Sequence, residues 1–186
     1  MENDSRIILA SASPRRISLL HKIVEDFDVV SPSVDESTDG TDPKKAVETI
    51  AARKAFSIET AGTIISADTV VYNGRILGKP KDESDAYATL LELSGKKHTV
   101  YTGVCIRKGA RADIFSVATD VYFKKLTLDD AVEYVKKYRP LDKAGSYGIQ
   151  DGVVVDKIVG SYDNVVGLPT EEIKERLMRF ISETKE

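Results

Sequence analysis

Apolar positions along this chain change period several times, and each change marks an element. Residues 6–10 form a short apolar run bounded by small polar residues, which predicts a buried strand. Pro14 stands where a helix can open, because the first helical position needs no backbone N–H. Ile17, Leu19, Leu20 and Ile23 continue at roughly helical spacing. Residues 27–30 read as a second strand ended by Ser31-Pro32, and the acidic, hydroxyl-rich stretch 34–43 as an irregular loop. A helix is predicted over 43–61, capped by Asp42, with Val47, Ile50, Ala51, Ala55 and Ile58 on one face. Residues 63–72 are a β-branched run, and Asn73-Gly74 predicts a hairpin turn with 75–77 returning. A helix over 83–93 closes at Ser94-Gly95, and strands over 98–107 and 114–124 flank a turn at Lys108-Gly109-Ala110. Thr127 caps a helix over 128–138 that Arg139-Pro140 ends. Residues 153–159 read as a strand, and Pro169 opens a last helix over 170–184.

Helices and strands alternate early, and antiparallel hairpins appear mid-chain. The fold class expected is therefore mixed α/β (α+β), a twisted mixed sheet flanked by helices and not a purely doubly wound domain. At 186 residues the chain fits one domain, or two small lobes sharing a core. Hydrophobic residues at 41% and charged residues at 31% lie near ordinary globular usage, which argues against a disordered or fibrous chain. A net charge of -3 argues against a general nucleic-acid binder but leaves room for a small basic pocket. The single cysteine, Cys105, rules out an intramolecular disulfide and fits a reduced, cytosolic setting; within its apolar run it reads as a buried strand residue. No charged start precedes a long apolar stretch, so no signal peptide is expected. No window approaches the roughly 20 apolar residues that span a bilayer, so no membrane partner is expected either.

Candidate chemistry begins at Leu9-Ala10-Ser11-Ala12-Ser13-Pro14-Arg15-Arg16. A strand delivers small residues to a tight turn, and a helix follows at once. Free N–H groups, the hydroxyls of Ser11 and Ser13, and the guanidinium forks of Arg15 and Arg16 suit phosphate oxygens. The same residues describe a capped surface helix with two solvated arginines equally well. Asp68 interrupts a run that otherwise asks to be buried, and a carboxylate there is costly unless paired or metal-bound. It could hold a hard cation, activate water, or bond to backbone groups at a strand end; Thr69 could reach a ligand edge. Glu36 offers a second oxygen ligand from the acidic loop. Lys54, on a helix, and Lys79, between Gly78 and Pro80, are candidate cations for a phosphate chain. His98 reads as a structural polar residue, and with only His21 beside it a histidine-rich zinc site is not expected. Residues 140–152 are dense in glycine and polar groups; Tyr147 could stack or hydrogen-bond, and the Gln150 amide can donate and accept as base recognition requires. The alternative there is an ordinary loop with glycine-dependent turns.

Taken in order, these segments resemble the Maf family of nucleotide pyrophosphatases. The resemblance runs from Leu9 to Pro169 through Leu9 to Arg16, Lys54-Ala55, Ala67 to Val71, Gly78-Lys79-Pro80, Ser94 to Gly103, Asp142 to Gln150 and Gly160 to Pro169. It implies a fold related to the inosine triphosphate pyrophosphatases, an elongated mixed sheet with a cleft between two lobes. It also implies hydrolysis between the α and β phosphates with a divalent cation, Mg²⁺ or Mn²⁺, as cofactor. By this resemblance Ser11, Arg15, Arg16, Lys54 and Lys79 would hold phosphates, and Glu36 and Asp68 would bind metal. Asp68 would accept the proton of the attacking water. Arg15, Thr69 and Gln150 match the branch acting on dTTP and UTP; the sister branch, which prefers 7-methyl-GTP, tends to carry an acidic residue at the position of Gln150. A nucleotide-binding regulator of cell division without turnover is the reading from a different class. The partner implied is a nucleoside triphosphate, with no nucleic acid, and the assembly implied is a homodimer. Two positions depart from the family: Thr49, where an arginine is common, and Asp151, where glycine is.

Overall fold

The computed structural model describes residues 6–37 and 40–183. Among them, strands β1 (Ile7–Ala10), β2 (Asp28–Val30), β3 (Thr63–Tyr72), β4 (Ile76–Leu77), β5 (Lys97–Lys108), β6 (Arg111–Phe123) and β7 (Val155–Val159) form one mixed sheet. Its order is β2-β1-β3-β5-β6-β7, with β4 set beside β3. β1 is parallel to both β2 and β3, and the remaining pairs are antiparallel. Helices α1 (Pro14–Leu20), α2 (Pro43–Phe56), α3 (Glu83–Leu93), α4 (Leu128–Tyr138), α5 (Tyr162–Val166) and α6 (Thr170–Ser182) flank the sheet.

Because β1 lies between β2 and β3, the chain leaves its carboxyl end to one side through α1 and crosses back to the other through α2. Strand side chains alternate between faces, so the two crossovers find different partners. Leu9, Ile65 and Ala67 pack with Leu19 and Leu20 of α1 and with Ile173, Leu177 and Phe180 of α6. Ile8, Ala10, Ile64 and Cys105 pack with Ala51 and Ala55 of α2. A third cluster joins Val71, Val100, Val121 and Phe123 to α3 and α4. Ligand crevices form at the carboxyl end of a strand placed as β1 is.

One glycine sets how near α2 comes to the sheet. A Cβ on Gly103 would lie 2.4 Å from the backbone carbon and oxygen of Val47, so only glycine admits this contact. Gly103 pairs with Asp68 across β3 and β5. Lys54 lies seven residues, about two turns, after Val47 on the same helix face.

The expected strand at 63–72 and the helices at 83–93 and 128–138 are all present with those bounds. Asp42 accepts from the amides of Lys44 and Lys45, and Thr127 forms a capping box with Asp130. The helix expected over 43–61 instead stops at Phe56. Arg107 of β5 donates to the carbonyls of Ala55 and Ile58 at 2.7 and 2.9 Å and closes the helix end from the sheet face that α2 covers. β6 begins at Arg111 and not at residue 114, because pairing with β5 continues to Lys108↔Arg111. Residues 140–151, expected as a loop, wind into three one-turn 3-10 segments. The short helix α5, capped by Ser161, was not expected. The last helix runs to Ser182, and its expected end at Thr184 lies outside the described residues.

Candidate active site

β5 occupies one edge of β3 along its length. On the other edge β1 pairs with Thr63–Ser66 and β4 with Val71–Tyr72, which leaves a gap at residues 67–70. Asp68 and Thr69 stand in this gap, and alternation sends them to opposite faces. Asp68 faces α2, where its Oδ1 lies 2.8 Å from Lys54 Nζ. Thr69 faces α1, where its hydroxyl accepts from Arg16 Nη2 at 3.1 Å. The strand thus presents a carboxylate and a hydroxyl to the same opening from its two sides.

Lys54 is buried at 7% exposure and holds two acids at once, since Glu36 Oε1 is also 2.8 Å from its Nζ. Glu36 comes from the loop after β2, and the neighbouring helix residue fixes that loop. Arg53 Nη1 donates to the carbonyls of Asp35 and Ser37, on either side of Glu36, at 3.1 and 2.6 Å. The hydrogen bond from Lys54 holds the Glu36 carboxyl below its usual range despite partial burial, with help from the charges of Lys54, Lys79 and Arg16.

Arg16 is committed in three directions. Its Nε donates to Gly167 O at 2.8 Å, Nη1 to Ser11 Oγ at 3.5 Å and Nη2 to Thr69. Burial lowers its pKa, opposed chiefly by the Asp68 charge. Of five guanidinium N–H groups these bonds use three, and two remain for a ligand. Thr69 leads further inward: its hydroxyl meets that of Thr102 at 2.9 Å, and Thr102 donates to Asn164 O in α5 at 2.9 Å. Ser11 Oγ also accepts the Ser13 amide at 3.2 Å, and Ser13 caps α1 without a side-chain bond.

The opposite wall is residues 140–151. Arg15 Nη1 reaches across to Asp142 at 2.8 Å, and Lys143 pairs with the same carboxylate at 2.8 Å. Partial burial would raise the Asp142 pKa, but hydrogen bonds from Lys143 and Arg15 bring it down to about 2. Two tyrosines hold the wall in place. Tyr147 is buried, hydrogen-bonded to His98 Nε2 at 2.8 Å and edge-on to Phe123. Tyr134 of α4 accepts the Gly148 amide at 2.9 Å and donates to Asp151. Gly145, at φ 70°, donates to Gly78 O at 3.1 Å and ties this wall to Lys79; a Cβ there would strike Val71 at 2.7 Å. His98 is buried, and desolvation lowers its pKa to about 4, which keeps it a neutral core group. Burial likewise raises Cys105 to about 12, as for an inert core thiol.

These walls enclose a cavity of about 650 Å³, a volume ordinary for a small-molecule site. Ser11, Ser13, Arg15, Arg16, Glu36, Lys54, Asp68, Thr69, Lys79 and Gln150 all line it. Thr49 does not; it lies on a separate surface groove with Phe56 and Ile114. Asp151 serves as acceptor for Tyr134 and does not line the cavity. Sequence reasoning missed Thr102, Asp142, Lys143 and Gly167 as parts of the site. Thr102 becomes visible only with the strand register that sets it opposite Thr69. Among the described residues no group of three or more His, Cys, Asp and Glu side chains could hold a metal by itself, and no helix is long and apolar enough to cross a membrane.

The fold thus sets a cavity lined by five cationic and three acidic side chains at the end of a parallel strand of a mixed α/β sheet. The family model for Maf-like proteins matches residues 6–180, and the chain belongs to that family. A dTTP/UTP pyrophosphatase of Thermosipho melanesiensis is 49% identical over 90% of this chain and 93% of its own length. Proteins of the same name from Thermococcus gammatolerans and Clostridium beijerinckii are 45% and 44% identical, covering 90% and 91% of this chain and 92% and 96% of their own lengths.

Proposed function

We propose that this chain hydrolyses dTTP and UTP to the monophosphate and pyrophosphate. The observation that carries the reading is convergence. Ten residues from six separated stretches line one cavity, in a chain whose curated relatives at 44 to 49% identity are named dTTP/UTP pyrophosphatase. Phosphoryl transfer asks mainly for positioning and charge neutralisation. Ser11, Ser13, Arg15, Arg16, Lys54 and Lys79 supply donors and positive charge for the triphosphate. Water forms a new bond to phosphorus at the α–β anhydride, the bond to the bridging oxygen breaks, and pyrophosphate leaves. Asp68 takes the proton of that water. Gln150 matches the imide edge of thymine or uracil, its carbonyl accepting from the ring N–H and its amide donating to a ring carbonyl.

Glu36 and Asp68 also fit a divalent cation, because both place an oxygen within 2.8 Å of one point, now the Lys54 ammonium. One or two carboxylates plus substrate phosphates are what Mg²⁺ takes in such sites. When bound there, the ion supplies charge neutralisation for the phosphates. The resemblance also carries a two-lobed single domain, a cytosolic location and a homodimer into the proposal.

Pyrophosphate release from a panel of nucleoside triphosphates with Mg²⁺ or Mn²⁺ tests the reading. Release from dTTP and UTP above the purine nucleotides is expected. Turnover confined to 7-methyl-GTP or another base would move the chain to the sister branch. Nucleotide binding without turnover, unaltered by Asp68→Asn, would make it a regulator.

A further inference from the structure

We propose that Lys54 is the free protein's own counter-ion at the acidic pair, so that a divalent cation enters the site together with the triphosphate and not before it. The inference rests on the pyrophosphatase reading and concerns the state that precedes it. The Lys54 ammonium contacts Glu36 Oε1 and Asp68 Oδ1 at 2.8 Å each, so one positive charge already sits between the two carboxylates. That position is built in. Gly103 lets α2 lie against β5, which brings Lys54 over Asp68, and Arg53 holds the loop carrying Glu36. Lys54 and Asp68 are 7% and 9% exposed, so little water screens their attraction.

The rest of the cavity points the same way. Its lining carries five cationic side chains, Arg15, Arg16, Lys54, Lys79 and Lys143, against three acids, Glu36, Asp68 and Asp142. A bare divalent cation would meet an excess of two positive charges and would have to displace an ammonium from both of its carboxylates. A cation already bound to a triphosphate arrives with net negative charge. It brings its own phosphate oxygens, which complete an oxygen shell that two carboxylates cannot, and it offers Lys54 a new anionic partner. Lys54 then turns from the carboxylates to a phosphate oxygen as the ion takes its place. The same lysine thus keeps the empty site neutralised and neutralises the substrate once it is bound.

The test uses the full chain and reads metal binding directly, from the paramagnetic resonance of free Mn²⁺. Titrations are run with Mn²⁺ alone and with a dTTP analogue carrying methylene between the α and β phosphorus atoms, the second read against a protein-free blank of the same analogue, which itself chelates Mn²⁺. Wild type is expected to bind Mn²⁺ alone at least roughly tenfold more weakly than Lys54→Met does, and to take up one ion per chain when the analogue is present. Adding Asp68→Asn to Lys54→Met should remove the gained affinity. Equal Mn²⁺ affinity in wild type and Lys54→Met would overturn the proposal. If Lys54→Met does not fold, as read by circular dichroism, the wild-type titration still decides: tight one-to-one Mn²⁺ binding without nucleotide overturns it, and weak binding that the analogue strengthens supports it. Lysine-dependent exclusion of Mn²⁺ in a protein that releases no pyrophosphate would refute the enzyme reading and leave this one standing.

Discussion

The two ends of the cavity are built from different materials. The charged end rests on β3, α1 and α2, where Asp68 and Lys54 are almost fully buried and Arg16 is held by three partners. The far end, residues 140–151, is made of one-turn segments, and the Gln150 side chain there is exposed. Reacting groups must keep their geometry within a fraction of an ångström, and strands and helices fix geometry better than turns do. Base recognition tolerates more movement. The far wall is accordingly secured at a few points, by the Tyr134 and Tyr147 hydroxyls and the Gly145 amide, and otherwise left to the turns.

Substitutions around the two ends should separate along this line. After Asp68, the largest effect is expected for Arg16→Lys, which keeps the charge but loses the fork that joins Gly167, Ser11 and Thr69. Its kcat/KM for dTTP should fall by about 100-fold, measured as pyrophosphate release. Thr102→Val removes the hydroxyl between Thr69 and α5 and should lower kcat by about tenfold, with stability down by about 1–3 kcal/mol. Thr102→Ser should restore most of both. A loss of stability in Thr102→Val with no change in kcat would show that the hydroxyl chain only holds the fold.

Acid titration tests the packing behind the far wall. His98 is neutral in the fold, with its pKa lowered to about 4 by desolvation, against about 6.5 when unfolded. Between these values the unfolded chain binds more protons, so stability falls as pH drops from 6.5 towards 4. The loss attributable to this residue is on the order of 3 kcal/mol, and urea unfolding of His98→Gln should show a flatter profile in that window. The smallest effect is expected at the mouth. The Asp142 side chain is 60% exposed, so Asp142→Asn should change stability by less than about 1 kcal/mol, with a several-fold change at most in KM.

Much of this arrangement was legible in local patterns. Asn73-Gly74 gave the hairpin, Asp42 and Thr127 gave helix starts, and Asp68 stood out as a carboxylate in a β-branched run that needed a partner. That partner proved to be Lys54, which the sequence marks as a candidate cation for phosphate and not as the mate of Asp68; strand alternation and the Gly103 contact bring the two together. Where the reading failed, the missing term was tertiary. Helix α2 ends where Arg107 reaches from β5, although Ile58 continues its apolar period. The five residues of α5 are too few to reveal a helical period. Pairs such as Arg15 with Asp142, 127 residues apart, carry no local signal at all.

The measurement that bears most directly on the division of labour is the steady-state kinetics of Asp68→Asn and Gln150→Ala, run side by side on dTTP and on a purine triphosphate. Asp68→Asn should lose on the order of 100-fold or more in kcat while KM for dTTP stays within a few-fold of wild type. Gln150→Ala should keep most of its kcat, raise KM for dTTP, and narrow the preference over the purine. Turnover retained by Asp68→Asn, or a collapse of kcat in Gln150→Ala with base preference intact, would contradict the account.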